Sequence, residues 1–146
     1  SAFFCTSTRN RQTFTSSFKT LSSLNYILAG LELENSKHDE LIILDHDKHI
    51  SECLSSNIWW IKENTIYTPS EVTGCIEGVS KKNILRYLDK KNIKVKIGKF
   101  TSEHLLMADF CFTSNVAGLH IIETIGSTRF QIENDVFEDI KKALFK

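Results

Sequence analysis

Four short stretches of this 146-residue chain hold residue types that can do chemistry. Lys19 precedes a predicted helix, Glu52 closes a predicted strand, residues 78–80 (GVS) open a second helix, and residues 113–118 (TSNVAG) form a loop of small residues. A lysine amine can attack carbonyl carbons, and a helix N-terminus can bind an anion. Taken singly, the stretches are also compatible with a surface lysine, a solvent-facing glutamate and an ordinary helix start. The chemistry therefore depends on whether the fold brings them together.

The histidines give no pattern typical of a metal site. His46 and His49 are the one close pair among the five histidines, and they flank a predicted turn. Their spacing supplies no further ligands, so we interpret them as solvated turn residues. The chain also contains no P-loop, GxGxxG, GxSxG or HExxH motif. We therefore expect no bound metal.

Length and composition favour one globular domain. The chain is 41% hydrophobic and 25% charged, close to globular averages. The 18 basic residues balance the 18 acidic residues, which gives no electrostatic reason to expect nucleic acid or a membrane surface as a partner. The four cysteines are widely and irregularly spaced, which predicts buried thiols in a reducing cytoplasm. The chain begins without methionine, and we expect it to be a fragment.

Hydrophobic periodicity predicts alternating strands and helices without a regular βαβ rhythm. Strands are predicted as a short pair within residues 2–18 and at 40–44, 49–53, 58–61, 65–67, 94–97, 110–113 and 119–122. Helices are predicted from Ser22 to about residue 33 and at 80–91, 102–107 and 134–145. This order indicates an α+β fold with a mixed, barrel-like sheet wrapped by helices. Because Trp59 and Trp60 alternate across a strand, we expect one ring in the core and the other at an edge or interface.

The stretches occur in an order that resembles the fold-type IV pyridoxal-phosphate enzymes, the class IV aminotransferase family. Residues 19–24 (KTLSSL) resemble the family's K-T/S-L-N-x-L. Residues 39–52, followed by Ser56-Asn57, resemble its D-E-A-L-x-L-D-x-x-G-x-V-x-E and S-N. Residues 65–69 end in the family's T-P, and residues 78–81 (GVSK) stand where G-I-T-R is usual. The resemblance covers most of this chain, but only the C-terminal half of a typical member.

The resemblance implies a cofactor, pyridoxal 5′-phosphate, and a role for each stretch. Lys19 would form the Schiff base with the cofactor and move the proton at the substrate's Cα, and Glu52 would pair with the pyridine nitrogen. The phosphate would be held by Gly78, Val79 and Ser80, with further donors from Ser114 and Asn115. The whole chain, residues 1–146, would be the C-terminal cofactor-binding domain of a two-domain enzyme whose N-terminal domain is absent here. Without that domain, we expect the chain alone to be inactive.

Details around these motifs favour one branch of the family. KTLSSL and Glu52-Cys53 followed by residues 57–59 (NIW) resemble aminodeoxychorismate lyases more than branched-chain enzymes. The implied reaction is the conversion of 4-amino-4-deoxychorismate to 4-aminobenzoate and pyruvate for folate synthesis, by a cytoplasmic homodimer acting on a small molecule. Two alternatives stay open. One is an aminotransferase for D-amino or branched-chain amino acids, and the other is a non-catalytic fragment or decayed relative.

Overall fold

The computed structural model describes residues 1–13 and 24–145. Its strands, in chain order, are β1 (Ala2–Phe4), β2 (Glu40–Leu44), β3 (Ile50–Cys53), β4 (Asn57–Lys62), β5 (Thr65–Pro69), β6 (Val95–Gly98), β7 (Phe110–Asn115), β8 (Gly118–Ile121), β9 (Thr124–Ile125) and β10 (Thr128–Arg129). Its helices are α1 (Leu24–Glu34), α2 (Val79–Lys90), α3 (Ser102–Leu106) and α4 (Asp135–Leu144), with a 3-10 turn at Glu71–Thr73. Among these described helices, none is long and apolar enough to cross a membrane.

The strands form two mixed five-stranded sheets. The first has the order β10-β9-β1-β2-β3, and the second has the order β6-β5-β4-β7-β8. Parallel pairing joins β1 to β2 and β9, and β5 to β6, while the other pairs are antiparallel. The predicted α+β class with a mixed sheet is therefore confirmed.

Both faces of the central strand β4 are buried. The expectation that one of the two tryptophans lies at an edge or interface is therefore wrong. Trp60 packs in the core between the two sheets, whereas Trp59 packs in a second core beneath α2 and α4. Neither ring is exposed. The indole N–H of Trp59 donates to Ser114 Oγ (2.9 Å), and that of Trp60 donates to His104 Nδ1 (3.0 Å). Alternation predicts that adjacent residues of a strand face opposite sides of the sheet. It does not reveal that other elements cover both sides.

Helix α1 forms where periodicity predicts it, but its apolar stripe points away from the sheets. Ala29 is fully buried against the first sheet. The stripe itself remains 41–65% exposed, at Leu24, Ile27, Leu28 and Leu31. Small Ala29 lets the helix lie close to the sheet. The apolar stripe is left without cover among the described residues.

Glu32 fastens α1 to the segment that follows β1. Its carboxylate accepts hydrogen bonds from the Thr6 and Ser7 backbone amides (2.8–3.1 Å) and from the Thr6 hydroxyl (2.8 Å). Although burial raises the pKa of Glu32, these hydrogen bonds from Ser7 and Thr6 lower it to about 2. The contact fixes the start of the irregular segment 5–13.

The structure describes the first of the two strands predicted within residues 2–18. Ala2–Phe4 forms β1, and residues 5–13 contain no further strand beyond a single bridge between Asn10 and Asp45. The second predicted strand, around Phe14 and Thr15, lies outside the described residues. The two-residue strands β9 and β10 were not predicted, because so short a pattern carries no periodicity.

Candidate functional site

Glu52 lies on β3 and is buried, with 4% of its surface exposed. Its Oε1 accepts hydrogen bonds from Asn10 Nδ2 (3.0 Å) and the Tyr26 hydroxyl (2.5 Å). Its Oε2 accepts one from the backbone N–H of Ile76 (3.1 Å). The strand, helix α1, the segment after β1 and the link before α2 therefore converge on one carboxyl group.

Burial raises the pKa of Glu52 to about 7. The hydrogen bonds from Tyr26, the Ile76 amide and Asn10 lower this pKa, and so does the positive charge of Lys81. The desolvation cost exceeds the sum of these contributions because a charge is expensive to bury. A carboxyl group that titrates near neutrality and lies inside a protein is a candidate for function.

The link between the 3-10 turn and α2 ties Glu52 to the start of that helix. Asn57 Nδ2 and Gly78 N–H both donate to the Ile76 carbonyl, at 2.8 and 3.1 Å. The backbone of Ile76 is thus held at its N–H by Glu52 and at its carbonyl by Asn57. Gly78 then takes the N-cap position of α2 without a capping side chain.

Gly74 lets this link pass close to the segment after β1. Its φ is +84°, a left-handed conformation that side chains rarely adopt. A Cβ atom here would lie 2.8 Å from the carbonyl carbon of Arg11. Gly74 therefore allows the backbone of Arg11 to lie against the link.

Among the described residues, the first N–H groups of α2 have no hydrogen-bond partner. The first N–H groups of a helix have no partner within the helix, and the first helical bond here is Lys82 N–H to the Gly78 carbonyl. Ser80 is 7% exposed, and its buried Oγ has no hydrogen-bond partner among the described residues. Buried side-chain hydroxyls are usually paired, so a bound group would explain this one.

Ser114 lies on the α2 side of the second sheet. It pairs with Asn57 across β4 and β7, and its Oγ accepts the Trp59 N–H. The side chain of Asn115 instead lines a cleft of about 420 Å³, together with Glu40, Thr113 and His120. Its Oδ1 accepts from the Ala117 amide (2.9 Å). Neighbouring side chains on a strand face opposite sides, so the Ser114 side chain lies on the α2 side of the sheet and the Asn115 side chain on the other side.

Lys19 and the rest of residues 14–23 lie outside the described residues. The chain on either side of this segment converges on Glu52, through Asn10 before it and Tyr26 after it. Sequence reasoning gave no role to these two residues or to Asn57. Asn57 follows Ser56 in a recognised motif, but nothing in the sequence links Asn10 or Tyr26 to Glu52, 42 and 26 positions away.

The turn between β2 and β3 brings two aspartates and a histidine close together. Single ligand atoms of Asp45, Asp47 and His49 lie within 4.8 Å of one another. Asp45 Oδ1 accepts the Asp47 and His49 amides, and Asp45 Oδ2 lies 3.2 Å from His49 Nδ1. These contacts are those of a side chain that closes a turn. His46 is exposed.

Comparison with known families gives a match over most of the chain. Residues 2–123 match the family model described as "Amino-transferase class IV".

Curated relatives carry two activities in their names. The aminodeoxychorismate lyase of Bacillus subtilis (strain 168) is 32% identical over 111 residues, which cover 76% of this chain and 36% of the lyase. A branched-chain-amino-acid aminotransferase of Pseudomonas aeruginosa is 32% identical over 94 residues, covering 64% of this chain and 30% of that enzyme. The chain thus spans about a third of the length of these curated relatives.

Solved structures share the fold. A 4-amino-4-deoxychorismate lyase from Pseudomonas aeruginosa superposes with a TM-score of 0.86 at 21% identity, over 98% of this chain and 55% of that structure. A branched-chain amino acid aminotransferase from Escherichia coli superposes with a TM-score of 0.91 at 23% identity, over 99% of this chain and 50% of that structure.

Proposed function

Because the chain belongs to the class IV aminotransferase family, we propose that residues 1–146 are the C-terminal, cofactor-binding domain of a two-domain pyridoxal-phosphate enzyme. The observation that carries this proposal is the link between Glu52 and α2. Ile76 N–H donates to Glu52, and two residues later Gly78 caps a helix whose buried Ser80 hydroxyl has no partner among the described residues. Residues 76–80 therefore contact Glu52, an acceptor suited to a ring nitrogen, and also contain donors suited to a phosphate.

The donor set fits the phosphate of this cofactor. A helix N-terminus attracts anions through its free N–H groups and the helix dipole. The N–H groups of Val79 and Ser80, with the Ser80 hydroxyl, would bind phosphate oxygens, and Gly78 brings no side chain into their path. Ser114 Oγ accepts from Trp59, which leaves its own hydrogen free to donate. Any contribution from Asn115 would come from its backbone, because neighbouring side chains on a strand face opposite sides and the Ser114 side chain takes the α2 side.

Glu52 and Lys19 would supply the reactive end of the site. Bound pyridoxal phosphate supplies an electron sink for the bonds at a substrate's Cα. Glu52 would accept a hydrogen bond from the ring nitrogen and hold the proton there. Lys19 would hold the cofactor covalently through its amine and would serve as the acid–base group for the proton at Cα. Asn10 and Tyr26, which precede and follow residues 14–23 in the sequence, both donate to Glu52, and this supports the proposal that Lys19 serves the same site.

The reaction we propose is the lyase reaction, the conversion of 4-amino-4-deoxychorismate to 4-aminobenzoate and pyruvate in folate synthesis. The Bacillus subtilis relative, named aminodeoxychorismate lyase, supports it. The Pseudomonas aeruginosa relative supports aminotransferase activity as the second candidate. We further propose a homodimer, and a cytoplasmic location because all four cysteines are buried free thiols.

The substrate assay decides between these candidates. We expect the complete protein with pyridoxal phosphate to release 4-aminobenzoate and pyruvate from aminodeoxychorismate, with no amino transfer to 2-oxo acids. Fluorescence of aminobenzoate and a coupled pyruvate assay measure this. Amino transfer without release of aminobenzoate would decide for the aminotransferase. If the complete protein showed neither activity, the non-catalytic relative would be the remaining alternative.

Replacing Ser80 with alanine should have opposite effects on cofactor binding and on stability. We expect pyridoxal phosphate to bind about tenfold more weakly, because a hydrogen bond to a charged group is lost. The cofactor-free protein should be as stable as the wild type or slightly more so, because a buried unpaired hydroxyl is removed. Fluorescence titration and urea unfolding measure the two effects. Ser102→Ala, at the start of α3, is the matched control. A less stable variant with normal affinity would assign Ser80 a purely structural role.

A further inference from the structure

The carboxylate of Glu52 has few acceptor positions left. An ionised carboxylate offers about four lone-pair positions, two on each oxygen. Asn10 and Tyr26 occupy both positions on Oε1, and the Ile76 amide occupies one on Oε2. Among the described residues, this leaves a single acceptor position, on Oε2.

Resting on the proposed function, we propose that Asn10 and Tyr26 are positioning residues that fix Glu52 through Oε1 and so reserve the free position of Oε2 for the ring nitrogen of the cofactor. Neither residue belongs to the motifs that identify the family, and neither would touch the reacting atoms. They act through Glu52 alone.

Asn10 is itself held in place. It is 3% exposed, and its backbone N–H donates to the Leu44 carbonyl (2.9 Å). One side-chain N–H goes to Glu52, and the other goes to Ser51 Oγ (3.0 Å). Ser51 in turn donates to the Thr73 carbonyl (3.0 Å). Both hydrogens of the amide are used, so Asn10 cannot turn away from Glu52 without losing a buried hydrogen bond.

Tyr26 is a permanent donor. Burial, followed by the charge of Glu52, raises the pKa of its hydroxyl well above the usual value, so it keeps its proton at every working pH. It can therefore only donate to an ionised Glu52. This donation favours the charged form of the carboxyl group, which burial opposes.

The electrostatic setting of Glu52 comes from several elements. Lys81 on α2 contributes a positive charge that lowers the pKa of Glu52. Burial raises the pKa of the thiols of Cys53 on β3 and Cys75 in the link, so both stay neutral beside it. Of the described titratable neighbours, Tyr26 is the one whose hydrogen bond can be deleted without a change of charge.

Tyr26→Phe keeps the ring and removes the hydroxyl that donates to Glu52. In cofactor-free complete protein with ¹³C-labelled glutamate, we expect Glu52 to titrate near pH 7 in the wild type and roughly one pH unit higher in Tyr26→Phe. The ionised fraction at pH 7 then falls from about half to about a tenth, so pyridoxal phosphate should bind about fivefold more weakly. Asn10→Asp, which is isosteric and replaces a donor with a negative charge, should shift the titration further in the same direction.

The control is Tyr67→Phe. It deletes a hydroxyl on β5, where the Tyr67 ring packs against Phe100. It should change neither the titration nor the affinity. This inference alone is overturned if the wild type binds the cofactor normally and both Tyr26→Phe and Asn10→Asp leave the Glu52 titration and the cofactor affinity unchanged. Failure of the wild type to bind pyridoxal phosphate overturns the proposed function, and this inference with it.

Discussion

Replacing Glu52 with glutamine is expected to lower the turnover of the complete protein about a hundredfold or more, the usual cost of deleting one preorganised electrostatic contact. Glutamine has almost the same shape, and it retains an acceptor for Asn10 and Tyr26. It cannot carry the negative charge that would keep a proton on the ring nitrogen, so the electron sink is weakened. The measurement is the rate at saturating cofactor and substrate. Glu34→Gln, on the exposed end of α1, is the control. A wild-type rate in Glu52→Gln would contradict the role given to Glu52.

The same substitution should flatten the pH dependence of stability. Burial raises the pKa of Glu52 from 4.5 to about 7, so the folded state binds this proton more tightly than the unfolded chain does. The stabilising contribution is therefore complete below about pH 4.5 and is lost as the pH rises through 7. The loss amounts to about 3 kcal/mol of unfolding free energy. Urea unfolding of cofactor-free protein at several pH values measures it, and an equal slope in Glu52→Gln would show that Glu52 is not its source.

The parts of the site that sequence could predict are those that rest on local pattern. The sequence predicts Glu52 on a strand and Gly78 at the opening of a helix, because alternation and helix-start signals operate over a few residues. The order of the motifs then indicated that these two residues serve one site. The structure joins them through Ile76, whose amide donates to Glu52.

The parts that sequence could not predict depend on contacts between distant residues. Asn10 and Tyr26 reach Glu52 only because β1 pairs with β2 and α1 packs on the first sheet. The burial of both Trp59 and Trp60 depends likewise on what covers each face of β4. The apolar stripe of α1 is a further example. Its spacing predicts a helix, but it does not predict which face of the helix packs on the sheet.

Lys19 is expected to carry the cofactor, and its loss should abolish activity. After incubation of the complete protein with pyridoxal phosphate, borohydride reduction should fix the cofactor to one lysine. Lys19→Ala should give no stable adduct and should reduce turnover by at least about a thousandfold, because both the covalent attachment and the proton transfer at Cα are lost.

Lys81 is the informative comparison, because it is a second lysine near the site. It is 2% exposed, and its Nζ donates to the Pro69 carbonyl at 2.6 Å. This contact ties α2 to the end of β5 and occupies the amine in a structural role. We therefore expect no adduct at Lys81.

Peptide mapping of the borohydride-reduced protein by mass spectrometry is the most direct test of the proposal that this domain binds pyridoxal phosphate for catalysis. We predict a single modified peptide, the one that contains Lys19, and its disappearance in Lys19→Ala. An adduct on Lys81 or on another lysine, or no adduct at all in the complete wild-type protein, would contradict it.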